Sequence, residues 1–333
     1  MKKNLFIAIV SAMTFMACSK QDSLQKIDIS VPLSIKAGIS IEARTKTIIS
    51  GTTFPDGASI GVQVLNNSNE GVYETGALTN IRFTYSSATS NWSSPGFYLT
   101  STTGKVYAYY PYLTQGTNDA LFTTIPATIP AVTNTGSDID YMYATPLTDE
   151  GVLVSNAAGK NSATLTFNHA LAQISFVVYK DNYPGLGNFS QFTIEDAVGG
   201  TNWIMVSKAS GDDLAMNISS GAITGGEKGI IGRILSVPCT LLTTPPSLDE
   251  TVLRSQVNAT TLVAPTVGMG ASDIKFTFTI DGKLYTVVNT SALSWEPGKQ
   301  YIYKVKLSGT DLSISSVTVT DWTTIVGDDI DIN

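Results

Sequence analysis

The chain offers few residues that could carry out catalysis. His169 is the only histidine, and it stands between Asn168 and Ala170 at the start of an apolar run. Histidine is the usual general base near neutral pH, but no residue nearby in sequence completes a catalytic triad. A lone histidine beside a strand is more often a hydrogen-bonded structural residue. We therefore predict that the protein is not an enzyme and has no catalytic residues.

Metal and phosphate sites are equally poorly supported. Asp138 with Asp140, and the acidic segment 328–331, could supply oxygen ligands to calcium. Neither cluster has the glycine and terminal glutamate of an EF-hand loop, so solvated charge is the preferred interpretation. The glycine-rich segment 225–229 lacks the Gly-Lys-Ser/Thr ending of a phosphate-binding loop. We expect no metal and no cofactor.

A row of tyrosines gives a second kind of chemistry, the stacking of aromatic faces on sugar rings. In an alternating strand such residues more often divide between the core and a surface row, so glycan binding stays open as an alternative. The four residues are Tyr107, Tyr109, Tyr110 and Tyr112.

Composition limits the class of partner. The 333 residues carry a net charge of -7, and 43% of them are hydrophobic while 14% are charged. Such a chain can fill a core and should fold. An acidic surface does not suit the phosphates of nucleic acid, which need lysine and arginine. We predict no nucleic-acid partner.

The N-terminus has the pattern of an export signal. Lys2 and Lys3 precede an apolar run over 5–17 that is too short to span a bilayer, and the run stops at Cys18. The residues before the cysteine resemble a lipobox, although Phe15 replaces the usual leucine. We expect residues 1–18 to be a lipoprotein signal peptide and Cys18 to be acylated, for example with palmitate. An ordinary secretory signal is the alternative.

Beyond Cys18 the sequence alternates, and period two is typical of a strand with one face in a core. Pro32 falls on the polar phase, which suggests an edge strand. The apolar phase holds Ile27, Ile29, Val31, Leu33 and Ile35.

Further short strands follow, separated by turn residues, and no stretch has a sustained helical stripe. Asp281-Gly282 predicts a two-residue hairpin, because both residues tolerate positive φ. This pattern indicates an all-β protein, and the length suggests two β-sandwiches with a boundary within 155–162. Cys239, between apolar neighbours, is expected to be a small buried residue. The predicted strands are 59–65, 81–85, 105–110, 164–167, 173–178, 275–280, 284–288, 300–307 and 313–320.

Four motifs in order resemble the fimbrillin family, the subunits of the type V pili of anaerobic gut and oral bacteria. The resemblance rests on the segments 53–62 (TFPDGASIGV), 105–112 (KVYAYYPY), 167–174 (FNHALAQI) and 295–301 (WEPGKQY), the last leading to Thr320-Asp321-Trp322.

The resemblance implies two transthyretin-like Greek-key β-sandwich domains in tandem. It also implies export as a lipoprotein to the outer membrane and cleavage by a trypsin-like protease after a lipoprotein peptidase has acted. Cleavage removes the first strand, and a donor strand from another pilin subunit then fills the groove. Repetition builds an extracellular fimbrium that serves adhesion and biofilm formation.

These implications give each segment an expected role. The cut would fall between Arg44 and Thr45, with Lys46 as the alternative site. The segments are a propeptide over 19–44, sandwiches over 45–158 and 159–322, and a C-terminal tail over 323–333. The candidate donor residues in that tail are Ile325, Val326, Ile330 and Ile332.

Three alternatives stay open. The tail could be a frayed acidic terminus or the return of the last strand, in which case the subunit would cap a filament as a tip pilin. The protein could instead be a monomeric surface lipoprotein that binds a glycan or a host protein. An anchor subunit that keeps its lipid is the third alternative.

Overall fold

We describe the fold from a computed structural model. It covers residues 30–39, 54–68, 70–74, 78–94, 96–114, 121–145, 153–197, 203–208, 214–309 and 311–321. Regular structure in these ranges is almost entirely β, with one short helix. The all-β prediction is therefore confirmed.

The strands up to residue 181 form the first group. They are β1 (Val31–Pro32), β2 (Ser34–Ile39), β3 (Ser59–Asn66), β4 (Ile81–Ser86), β5 (Asn91–Ser93), β6 (Tyr98–Leu99), β7 (Gly104–Tyr110), β8 (Thr124–Pro126), β9 (Val132–Asn134), β10 (Met142–Thr145), β11 (Leu153–Val154), β12 (Ser162–His169) and β13 (Ala172–Asp181).

The remaining elements include the helix. They are β14 (Asn188–Asp196), β15 (Met205–Val206), β16 (Ala215–Asn217), β17 (Ile223–Thr224), β18 (Glu227–Lys228), β19 (Ile230–Thr240), α1 (Glu250–Ser255), β20 (Ala259–Val263), β21 (Thr266–Met269), β22 (Ile274–Ile280), β23 (Lys283–Val288), β24 (Leu293–Trp295), β25 (Lys299–Ser308) and β26 (Asp311–Asp321).

The first large sheet has the order β2-β12-β10-β7-β3-β4-β5, with β11 beside β7. Its two end strands, β2 and β5, approach each other. The Trp92 indole nitrogen on β5 donates a hydrogen bond to the Ala37 carbonyl on β2 over 3.4 Å. The sheet therefore curls round a core, as sheets do when they close towards a barrel.

The second half of the chain packs two sheets face to face. One has the order β20-β13-β25-β26 and the other β23-β22-β14-β19-β9. Phe176 of β13 lies 4.9 Å from Phe192 and 5.1 Å from Phe278, measured between ring centroids, and both partners belong to the opposite sheet. These aromatic contacts fill the space between the sheets.

The buried residues form two large clusters, one under the first sheet and one between the two later sheets. The change from one to the other lies at Ala170 and Leu171, after β12, and not within 155–162, because β12 belongs to the first sheet. Segment 121–141 precedes this point in sequence but packs with the later sheets, since β9 pairs with β19 and Ile125 is buried in the second cluster. The division into two tandem domains stays a prediction.

Two carboxylates predicted to be solvated are buried and paired, so that interpretation was wrong. Asp138 accepts from Arg233 over 2.6 and 3.1 Å, and the Arg233 side chain is fully buried. Asp140 Oδ1 lies 2.7 Å from His169 Nδ1, with both side chains buried. Buried charges require such partners, and the long separations in sequence hid both pairs.

Turn chemistry was easier to predict. Asp281 and Gly282 have φ values of 50° and 75° and join β22 to β23, which confirms the hairpin. The helix α1 was missed because it has only six residues. It begins where the Asp249 side chain accepts from the Val252 amide over 3.0 Å, a standard N-cap.

Candidate functional site

The candidate site is the edge of the first sheet, where the predicted removable strand lies. We call residues 30–39 the plug strand; it comprises β1 and β2. Val31 and Pro32 pair antiparallel with β6, and Ser34–Ile39 pair in parallel with β12. Pro32 belongs to β1, which forms a separate two-stranded sheet with β6, and β2 is the last strand of the first sheet. Both parts of the plug strand therefore lie at a sheet edge, as predicted.

The side chains of the plug strand alternate between core and solvent. Leu33, Ile35 and Ile39 are 5%, 4% and 5% exposed, whereas Ser34 and Lys36 are exposed. Val31 and Ala37, on the apolar phase, are half-buried. The alternation predicted from the sequence is confirmed over the described residues.

Backbone hydrogen bonds fix the register of the plug strand. The Leu33 amide donates to the Phe97 carbonyl over 2.9 Å, and the Ser34 amide donates to the Asn161 carbonyl over 2.8 Å. From there the parallel ladder sets Ser34 opposite Ser162 and Ile39 opposite Phe167. Main-chain bonds of this kind fix the register of a strand without depending on its side chains.

Several aromatic rings that follow Arg44 in sequence lie in the same core as the plug strand, among them Phe54, Trp92 and Phe167. The Phe54 ring centroid is 5.0 Å from that of Trp92 and 5.2 Å from that of Phe167, both with edge-to-face geometry. Phe54 lies in the first of the four family motifs, but neither it nor Trp92 was predicted to pack beside the removable strand. The predicted strand ended at Ile35, although the apolar phase continues through Ala37 to Ile39 in the sequence.

Most of the other predicted site residues lie outside the described ranges. This holds for the lipidation, processing and donor residues and for the first two apolar residues of the predicted removable strand. They are Cys18, Ile27, Ile29, Arg44, Thr45, Lys46, Ile325, Val326, Ile330 and Ile332.

The described residues offer little support for other sites. They contain no group of three or more His, Cys, Asp or Glu residues that could hold a metal ion. Cys239 is half-buried, and burial raises the pKa of its thiol, which disfavours the nucleophilic thiolate. Tyr109 is buried and donates to Asn80 over 3.0 Å, so it is a core residue and not a sugar platform. No helix in the described ranges is long and apolar enough to span a membrane.

Comparison with known proteins identifies the class. A family model described as fimbrillin-like matches residues 44–322. The chain belongs to the fimbrillin-like family, which confirms the resemblance inferred from its four motifs. A search of curated proteins found no match.

Solved structures share the fold at low sequence identity. A putative cell adhesion protein from Bacteroides ovatus is 16% identical with a TM-score of 0.59, covering 90% of this chain and 100% of its own. A putative cell adhesion protein from Bacteroides uniformis is 18% identical with a TM-score of 0.55, covering 88% and 99%. A fimbrial protein from Bacteroides vulgatus is 13% identical with a TM-score of 0.54, covering 88% and 99%.

Proposed function

We propose that this protein is a structural subunit of a fimbrium that polymerises by strand exchange at the plug-strand groove. The observation that carries the proposal is the placement of Leu33, Ile35 and Ile39, which are buried in a core otherwise built from residues after Arg44. A protease that cuts at Arg44 would free the plug strand without cutting the sheet that holds it.

Removal of the plug strand exposes a large apolar surface. Burial of one Leu or Ile side chain stabilises a fold by about 1.5 to 3 kcal/mol, so loss of three leaves a defect on the order of 5 to 9 kcal/mol. The ordering entropy of the strand offsets part of this. The open groove, with Phe54 and Trp92 beside it, would bind a replacement strand through main-chain hydrogen bonds and alternate pockets.

The donor is the C-terminal tail of another subunit. The preceding strand β26 ends at Asp321, which forms an ion pair with Lys299. The Arg254 guanidinium also donates to the Asp321 carbonyl over 2.9 Å. These contacts hold the base of the tail on its own subunit, so that a tail bound elsewhere would link two subunits firmly.

Before cleavage at Arg44 the precursor is tethered to the outer membrane by the acylated Cys18, which becomes the first residue when a lipoprotein peptidase removes residues 1–17. The trypsin-like cut at Arg44, or at Lys46, releases the subunit into the extracellular fimbrium, where it serves adhesion and biofilm formation. The family match begins at residue 44 and ends at 322, so the plug strand and the tail both lie outside it.

Limited trypsin digestion of the full-length precursor tests the proposal. We expect a single early cut after Arg44 or Lys46, followed by a ladder of multimers in light scattering. An Arg44→Ala, Lys46→Ala variant is the matched control and should stay uncut and monomeric.

Two results would contradict the proposal. One is a precursor that is cut at Arg44 but stays monomeric, as expected for a monomeric binder or for a tip pilin without a donor. The other is a control variant that forms the same multimers without the cut.

A further inference from the structure

The three fully buried positions of the plug strand are unevenly spaced. Leu33 and Ile35 are two residues apart, and Ile39 follows four residues later. The position between them, Ala37, is only half-buried. An incoming strand therefore needs apolar side chains at a spacing of two then four. The demand is weaker at the place of Ala37, which packs against the core but is only half-buried.

The C-terminal tail contains the same spacing in reverse. On one alternating phase it carries Val326, then Ile330 four residues later, then Ile332 two residues later. Asp328 falls between Val326 and Ile330 on the same phase. Side chains alternate along a strand whichever way it runs, so reversal of direction keeps the face but reverses the order of the spacings.

We infer that the tail of a second copy enters the groove antiparallel to β12, opposite in direction to the plug strand that it replaces. Ile332 takes the place of Leu33, Ile330 that of Ile35, and Val326 that of Ile39. Asp328 then falls at the half-buried place of Ala37, where its carboxylate stays in contact with water. This inference rests on the proposed function, because it assigns the direction and register of the same exchange.

The opposite direction fits poorly. If the tail ran parallel to β12, the one alignment of residues 323–333 that fills all three buried places without burying an aspartate would put Thr324 where Leu33 is 5% exposed. If Ile330 took the place of Ile39 in that direction, Ile332 would pass beyond the described groove. If the tail moved by two residues so that Ile332 took the place of Ile39, Asp328 would take the buried place of Ile35. Burial of a carboxylate costs far more free energy than leaving it partly in water.

The reversed direction also supplies a reason for the exchange to proceed. The plug strand pairs with β12 in parallel, from Ser34 opposite Ser162 to Ile39 opposite Phe167. Antiparallel ladders are somewhat more stable per residue than parallel ones. Along β12 the donor would therefore form a stronger ladder than the plug strand while filling the same pockets, although the short antiparallel pairing of Val31 and Pro32 with β6 would be lost.

Disulfide trapping between subunits distinguishes the two directions. The exposed outward position of Ser34 lies opposite Ser162, which is also exposed. The antiparallel register puts Asp331 there, and the parallel register puts Ile325 there. Paired strands are about 4.8 Å apart, which is within the Cα separation that a disulfide bridges.

The experiment uses the full-length chain with Cys18→Ser and Cys239→Ser, so that no native thiol competes. Ser162→Cys is combined with Asp331→Cys in one variant and with Ile325→Cys in the other. Each is cut with trypsin, allowed to assemble, mildly oxidised and run on a non-reducing gel. The same variants with Arg44→Ala and Lys46→Ala are the uncut controls.

We expect covalent multimers from the Asp331→Cys variant, at least tenfold more abundant than from the Ile325→Cys variant, and none from the uncut controls. Preferential crosslinking through Ile325→Cys would overturn the inferred direction. Multimers that form in both variants without crosslinks would overturn the pairing of the tail with β12. If the parent chain forms no multimers after cleavage, the proposed function itself fails, and the inference with it.

Discussion

Ile39, the last residue of the plug strand, lies opposite Phe167 of β12, and the two side chains are 5% and 0% exposed. Phe167 also packs edge to face against Phe54. Residues before and after Arg44 in sequence therefore share one core. A cut after Arg44 would break the covalent link between the plug strand and the rest of this core. The strands that follow the cut would keep their own pairing.

Ile35→Ala should destabilise the uncut precursor by about 2 to 5 kcal/mol, because it removes buried methyl groups and leaves a cavity. The exposed neighbour change Lys36→Ala should alter stability by less than about 0.5 kcal/mol. Urea denaturation of both precursors measures the difference.

The same two variants test whether the plug strand is present in the precursor but absent from the assembled subunit. If cleavage removes the plug strand, filaments grown from Ile35→Ala and Lys36→Ala precursors should have identical denaturation midpoints. A lower midpoint for the Ile35→Ala filaments would show that the plug strand is still in place.

Asp140→Ala should cost about 3 to 5 kcal/mol, since it leaves the buried His169 without the carboxylate that lies 2.7 Å from its Nδ1. The surface pair of Lys105 with Glu70, 3.8 Å apart, offers the comparison. Glu70→Ala should cost less than about 1 kcal/mol, because exposed pairs contribute little. Equal losses for both variants would contradict a structural role for the buried pair.

Arg233→Lys should be nearly as damaging as removal of the charge. The guanidinium makes two bonds to Asp138 and also donates to the Ala131 carbonyl over 2.8 Å. A lysine keeps the charge but not the planar fork. We expect a loss of about 3 kcal/mol or more in thermal or chemical unfolding. Near-normal stability of Arg233→Lys would show that charge alone is sufficient.

Asp281 should make the protein less stable in acid. Hydrogen bonds from the backbone amides of Gly187 and Asn188 hold the pKa of the Asp281 carboxyl below its ordinary value. Its contribution is therefore complete above the unfolded pKa of about 3.9 and is lost as the pH falls through the lower folded value.

Asp281→Asn is a suitable test because asparagine tolerates the positive φ of 50° at this turn. The wild type should be the more stable protein at neutral pH, and the difference should shrink on acidification below pH ~4. A difference independent of pH would contradict this role of the carboxylate.

Local patterns allowed much of the fold to be predicted. Alternation located the plug strand and the long strands, and the Asp281-Gly282 dipeptide located a hairpin. Pairing between segments that are distant in sequence was harder to predict. The insertion of β9 beside β19, and the burial of Asp138 and Asp140, depend on contacts across roughly 30 to 120 residues that no local pattern records.

The candidate site was predicted in part for the same reason. Leu33 and Ile35 stood out because their alternation is local. Phe54 and Trp92 did not, because only the curled sheet brings them beside Ala37 and Phe167. The two-then-four spacing of buried positions could not be predicted from the sequence, because Ala37 lies on the same apolar phase as Leu33, Ile35 and Ile39. Only the structure shows that Ala37 is less buried than the other three.

Mass spectrometry of assembled multimers tests the central claim most directly. Multimers separated by size should contain chains that begin at Thr45 or Thr47 and should lack every peptide from residues 30–39. Multimers whose chains retain that peptide, whether intact or cleaved but still bound, would show that the plug strand is not replaced and would contradict assembly by strand exchange.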